Sequence, residues 1–195
     1  PLTELYRKVD AHPKVKRAYV SSGIRYDLLV DGYNKQADGS LDEYMEQLVT
    51  KHVCGRLKVA PEHTSDATLR IMRKPSFKHF HEFKKKFDAL NQKHGLNQPL
   101  IPYFISSHPG SQVEDMANLA AETKDMGFRL EQVQDFTPTP MTVATVIYYS
   151  GLHPYTLQPV YAARSEKEKK GQHLFFFWYK RENHQLIREK LQKLG

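Results

Sequence analysis

Apolar positions along this chain switch repeatedly between simple alternation and the three-to-four spacing of a helix face. Four short stretches read as strands: Arg17–Ser21, Arg56–Ala60, Leu100–Ser106 and Leu130–Asp135. Each is followed by a polar loop and a helix-period segment. The units recur roughly every 30 to 45 residues, the size of a βα unit with its crossover. This pattern predicts an α/β layer of parallel strands and crossover helices.

The helical segments carry their own boundary signals. "SLDE" (Ser40 to Glu43), "SQVE" (Ser111 to Glu114) and the stretch Ser165 to Glu168 have the S-x-x-E form of a capping box, in which hydroxyl and carboxylate satisfy early backbone N–H groups. Thr139-Pro140 offers an N-cap followed by proline at the first helical position, and Gly95 and Gly127 stand where helices should stop. Phe77, Phe80, Phe83 and Phe87 recur at helical spacing and predict a core-facing stripe, with Lys84, Lys85 and Lys86 turned to solvent. After Tyr155 the alternation fails. The remainder reads as an extended piece and then helices, with Phe175 to Trp178 apolar on every side and expected to be buried. Two parts are therefore expected, 1–158 and a mainly helical extension at 159–195.

Strand faces can be read separately, because side chains alternate. Leu57 and Val59 oppose Arg56, Lys58 and, by extension, Glu62, whereas Gln132, Gln134 and Phe136 share a face with Leu130. A parallel strand packed by helices on both sides would be apolar throughout. One wet face is expected instead, lining a ligand cavity in a half barrel or exposed on an open sheet. Ligands of parallel α/β sheets bind at the carboxyl ends of the strands. Here those ends are "SSGIRYD", "KVAPEHTSD", "ISSHPGS" and "QDFTPTPMT", all rich in hydrogen-bonding side chains.

Composition narrows the classes. The 195 residues, 39% hydrophobic and 26% charged, suffice for a globular core. A net charge of +7 permits an anionic partner, but the acids are interspersed, so charge alone argues little for nucleic acid. One cysteine, Cys54, excludes a disulfide framework or a thiolate cluster built from this chain; it precedes a strand and reads as a small buried hydrophobe. The apolar runs are too short for a membrane span, and a cytoplasmic setting is expected. The chain opens at Pro1 directly on "LTELYRKV", which reads as an excised fragment.

Within the loops, Arg25 and Asp27 form either a structural ion pair or a donor fork for a carboxylate or ribose. Lys58 and Glu62 have the form of a clamp for an amino acid's carboxylate and amine. His63 and His108 lie on strand-end loops without a third ligand at metal-like spacing, so no metal site is expected. No Gly-x-Ser-x-Gly elbow follows a strand. Pro109-Gly110 lets a planar group approach the backbone of Ser106 to His108, and the helix start beyond it favours anions.

The strings "KVAPEHTSDATLRIMRKPSFKHF", "PYFISSHPGSQVEDMANLA" and "FRLEQVQDFTPTPMTVAT" resemble the second half of a radical S-adenosylmethionine protein of the uncharacterised YgiQ type, from about Arg17 to Glu168. More distantly, the loop order is similar to methylthiotransferase and cobalamin-associated branches, whose Ile-x-Gly-x-Pro-Gly-Glu-Thr loop receives adenine on its backbone. The matching residues here run from Ile105 to Gln112, with Ser107 in place of the glycine, Ser111 of the glutamate and Gln112 of the threonine. The resemblance implies a half TIM-like barrel whose wall binds S-adenosylmethionine. Arg25, Lys58 and Glu62 would hold polar groups of cofactor or substrate, the backbone of Ser106, Ser107 and His108 would meet adenine beside Phe136, and Ser21 and Gln134 would line the interior. It also implies a [4Fe–4S] cluster held by Cys-x-x-x-Cys-x-x-Cys. Those ligands are absent from this chain and expected upstream, in an N-terminal half that would be its partner; substrate and catalytic residues stay unknown, and the fragment alone is expected to be inactive. The alternative is a non-catalytic nucleotide- or RNA-binding α/β module.

Overall fold

The computed structural model describes residues 2–30 and 40–194. They form a mixed α/β fold with eight α-helices and three strands among the described residues. Two compact units result, one comprising Pro1–Ala60 with Lys78–Ile101 and the other Pro61–Phe77 with Pro102–Gly195.

The first unit contains α1 (Leu2–Asp10), a 3-10 turn at Tyr26–Leu29, α2 (Ser40–Gln47), the start of β1 (Leu57–Glu62) and, later in the chain, α4 (Lys78–Lys93). Its core is the aromatic stripe anticipated from the sequence: Phe80, Phe83 and Phe87 are fully buried and Tyr26 packs against the first two, with ring centroids 5.7 Å away in each case. The lysines of α4 stay at the surface, where Lys84 pairs with Asp88 and Lys86 with Asp42. Gly95 (φ 62) closes α4, and the N–H of Leu96 returns to the carbonyl of Asn91.

The second unit holds α3 (Asp66–Ile71), most of β2 (Leu100–Ser106), α5 (Val113–Asp125), β3 (Gln132–Asp135), α6 (Val143–Ser150), α7 (Glu166–His173) and α8 (His184–Gln192). The expected run of four strands is thus corrected to three, in the order β1-β2-β3, with β2 and β3 parallel and Ile105 level with Gln134. Arg17–Ser21 is not a strand. Its backbone is engaged elsewhere: the Val20 N–H donates to the His52 carbonyl, and the His52 ring bonds the Ala18 carbonyl at 2.8 Å. Only Ile24 makes a single parallel bridge, to Val59.

Three local expectations also shift. α5 begins one residue late: Gln112 is its N-cap, and its N–H donates to Asp115 at 2.8 Å, so Ser111 is not the cap. The helix after β3 is capped by Thr142, which accepts from the Thr145 N–H at 3.2 Å, rather than by Thr139. Cys54 is exposed, not buried. The box at Ser165–Glu168 forms as read, and Phe175 and Phe176 are buried while Phe177 and Trp178 are half-buried. No helix among the described residues is long and apolar enough to cross a membrane.

The alternation read from the strands is realised. In β2, Leu100, Pro102, Phe104 and Ser106 are buried, while Ile101, Tyr103 and Ile105 are only partly covered; the register puts Gln132 and Gln134 on that same half-exposed face. Tyr103 donates its hydroxyl to the Gln134 side chain across it.

Candidate functional site

The carboxyl ends of the strands in the second unit carry a dense polar cluster. β1 ends on Glu62, whose backbone is left-handed (φ 69). One oxygen of its carboxylate pairs with Lys74 at 3.1 Å, and the other, Oε2, is buried with no hydrogen-bond partner among the described residues. Burial raises the Tyr103 hydroxyl pKa above its ordinary value, and the Glu62 charge adds to the effect.

β2 runs into Ser106, Ser107, His108 and Pro109, all buried. Ser107 is left-handed (φ 60), a conformation that costs an L-residue with a Cβ roughly 1–2 kcal/mol. Its Oγ is buried without a partner among the described residues, whereas its N–H donates to Gln172 Oε1 at 2.8 Å. Gly110 (φ 91) then lets the chain pass so close to Ile71 that an added Cβ would lie 2.3 Å from its Cδ1. The Gly110 N–H donates to the Tyr161 carbonyl at 2.7 Å.

Ser111, freed from capping, sits in a buried chain of hydrogen bonds. His63 Nδ1 accepts from the N–H groups of Thr64 and Ser65 at 2.9 and 3.0 Å, so the proton of the neutral ring is on Nε2, which donates to Ser111 Oγ at 3.1 Å. That hydroxyl donates in turn to Gln172 Oε1 at 3.0 Å, and Gln172 Nε2 donates to the Ser111 carbonyl at 2.7 Å. Every member can adopt its role without conflict, the condition under which a buried polar network holds a loop in one shape. Beside it, the Asp135 carboxylate at the end of β3 accepts from Ser106 Oγ and from His173 Nδ1, the latter at 2.8 Å. His108 donates Nδ1–H to the Pro109 carbonyl at 2.8 Å and meets the half-exposed Phe136 ring edge-on at 5.0 Å; burial holds its pKa below the ordinary imidazole value.

His63 supplies a pH signature. Burial pushes its pKa from 6.5 down to about 4. Below about 6.5 the unfolded chain takes up a proton that the folded chain refuses, so the His63 contribution is complete above that pH and is lost as the pH falls toward 4. The loss amounts to about 3 kcal/mol. His63→Gln is expected to flatten that part of the profile; equal pH slopes of the urea midpoint in variant and wild type between pH 7 and 4 would refute it. Ser107→Gly is expected to raise stability by about 1 kcal/mol, because it relieves the left-handed strain and removes an unsatisfied hydroxyl. A lowered urea midpoint would show instead that the hydroxyl holds the loop.

Of the residues picked from the sequence, Glu62, Ser106, Ser107, His108, Gln134 and Phe136 lie in this unit. Ser21, Arg25 and Lys58 lie in the other one. Ser21 and Lys58 are exposed there, and Arg25 forks onto the buried Asp27 carboxylate at 2.9 and 2.6 Å, the ion-pair reading of the two considered. Sequence reasoning missed His63's partner Ser111, Asp135, Gln172 and His173. No local signal marked the last two: Gly171 beside them approaches only the flexible end of Lys190, whose Nζ would lie 2.6 Å from an added Cβ.

Residues 131–195, which carry Asp135, Gln172 and His173, match the family described as a domain of unknown function (DUF3362). Relatives named UPF0313 protein align along the whole chain: one from Porphyromonas gingivalis at 58% identity, covering 31% of that protein, one from Bacteroides thetaiotaomicron at 57%, covering 32%, and one from Methanosarcina acetivorans at 41%, covering 25%. The chain spans about a third of the length of the first two and a quarter of the third. From one end to the other, this chain is similar to a segment of the UPF0313 proteins.

Proposed function

We propose that the chain forms the C-terminal part of the cofactor-binding wall of a radical S-adenosylmethionine protein of the YgiQ type, a partial barrel completed by the rest of a longer polypeptide. The observation that carries this reading is the end of β2. Ser107 takes a left-handed conformation where the resembled loop has glycine, and Pro109-Gly110 follows at the carboxyl end of a parallel strand. The half-exposed polar sheet face leading to it supports the same reading.

The residues present fit such a ligand. Glu62 Oε2 and Ser107 Oγ are both buried polar atoms without partners among the described residues, and buried groups of that kind are ordinarily satisfied. Glu62 would accept from the ligand's ammonium group. The backbone of Ser106 to His108 would meet adenine, not through the Ser107 N–H, which Gln172 takes, with Phe136 beside it. Gln134 would line the interior. When bound with its [4Fe–4S] cluster, S-adenosylmethionine supplies a 5′-deoxyadenosyl radical on reductive cleavage. The one cysteine here cannot hold that cluster.

The test is anaerobic reconstitution of the full-length protein with iron and sulfide. Cluster absorption and 5′-deoxyadenosine on addition of reductant and S-adenosylmethionine are expected. A protein that takes up no cluster and forms no 5′-deoxyadenosine would overturn the reading.

A further inference from the structure

Asp135 and His173 take no part in the ligand contacts assigned above, yet they meet at the same strand ends. Asp135 closes β3 and His173 closes α7, and the carboxylate accepts from His173 Nδ1 at 2.8 Å. A carboxylate offers only acceptors, so the ring proton is held on Nδ1 and the Nε2 of the neutral imidazole keeps its lone pair. No group among the described residues hydrogen-bonds that Nε2. The ring is held in place by Phe176, edge-on at 5.5 Å, and by Phe177 at 5.4 Å. Ser106 gives the same carboxylate a second donor, which fixes it from the β2 side.

Holding α7 in place does not account for this pair. Gln172, the preceding residue, already anchors the helix through three buried hydrogen bonds. The side chains of His173 and Asp135 keep 35% and 40% of their exposure, and a pair so accessible contributes only about 0–1 kcal/mol to stability. What the arrangement does provide is an oriented imidazole with a fixed tautomer, reachable from solvent, at the carboxyl ends of parallel strands.

We propose that Asp135 and His173 form a proton-transfer pair for a hydroxyl, amine or thiol of a ligand held at the ends of β2 and β3. The inference rests on the reading above only in that these strand ends receive a ligand. His173 Nε2 takes the ligand's proton and becomes imidazolium, the ligand atom keeps the bonding electron pair, and the Asp135 carboxylate stabilises the charge. No oxidant or reductant enters the step. The segment 131–195 thereby supplies both partners, one from β3 and one from α7.

Carbethoxylation by diethyl pyrocarbonate, read residue by residue by peptide mass spectrometry on the full-length protein, tests this without turnover. In the wild type His173 is expected to react faster than the exposed His184; a rate equal to or below that of His184 overturns the proposal. Asp135→Asn is expected to slow His173 about tenfold, with His184 unchanged and buried His63 still protected. An unchanged His173 rate in a variant that keeps His63 protected overturns the proposal as well. If the asparagine variant unfolds and exposes His63, the wild-type comparison decides. Saturating S-adenosylhomocysteine is then expected to slow His173. Binding by calorimetry without any slowing places the pair outside the ligand site and sinks the proposal. Absence of binding counts instead against the cofactor reading, while the wild-type and Asp135→Asn rates still decide whether the pair is an activated base.

Discussion

Gln172→Leu is expected to lower the stability of the second unit by about 4 kcal/mol. Leucine fills a similar volume, so the cost does not come from a cavity. It comes from what is left behind: the Ser107 N–H, the Ser111 hydroxyl and the Ser111 carbonyl all lose their Gln172 partner in a place that is wholly buried. Each buried group left unmade costs about 1–3 kcal/mol. Gln172→Glu should also destabilise, because an oxygen then faces the Ser111 carbonyl that the amide nitrogen had served. A shift of the urea midpoint worth less than 1 kcal/mol at unchanged slope would mean that the loop does not depend on this amide. The expected loss has a functional side. The loop that Gln172 holds is the one proposed to meet adenine, so the variant should lose ligand binding before it loses the fold.

Phe83→Ala is the second large effect, about 4 kcal/mol, and it falls on the other unit. Phe83 is fully buried, stacks against Phe87 at 6.1 Å and lies against Tyr26. Deleting the ring removes the transfer free energy of its atoms and leaves a cavity that its aromatic neighbours cannot close. Phe83→Leu, which keeps most of the volume, should cost less than about 1.5 kcal/mol. Hydrogen exchange separates the two experiments. Protection should fall around Tyr26–Leu29 and α4 for Phe83→Ala, and around the Ser106–Ser111 loop and α7 for Gln172→Leu. Equal, global loss of protection in both would show that the units unfold together.

Strong local signals in the sequence carried through to the structure. The phenylalanine spacing is buried as a stripe, the glycines at 95 and 127 end their helices in left-handed conformation, and the Ser165 capping box forms. Weaker local signals lost to their surroundings. Ser111 has the spacing of a capping box, but its hydroxyl is worth more between His63 and Gln172 in a buried setting than on an exposed helix start that Gln112 and Asp115 can manage. Arg17–Ser21 alternates like a strand, yet its backbone groups are spent on His52. Alternation establishes that a segment can pair and says nothing of whether a neighbour is there to pair with.

The candidate site divides along the same line. From the sequence alone come the strand-end loops, among them the one that carries Ser106, Ser107 and His108 and the one that carries Phe136, and the half-polar sheet face. These follow from local rules, the period of a strand and the place where parallel α/β folds bind ligands. Gln172 and His173 come only from the tertiary structure. Read locally they are two polar residues at the end of a lysine-rich helix, and nothing within reach along the chain requires them. Their roles arise because packing brings that helix against loops more than sixty and nearly forty residues away, the separations of Gln172 from Ser107 and of His173 from Asp135. Hydrogen-bond partners in a buried network are chosen by proximity in space, and no periodicity of the chain encodes that choice.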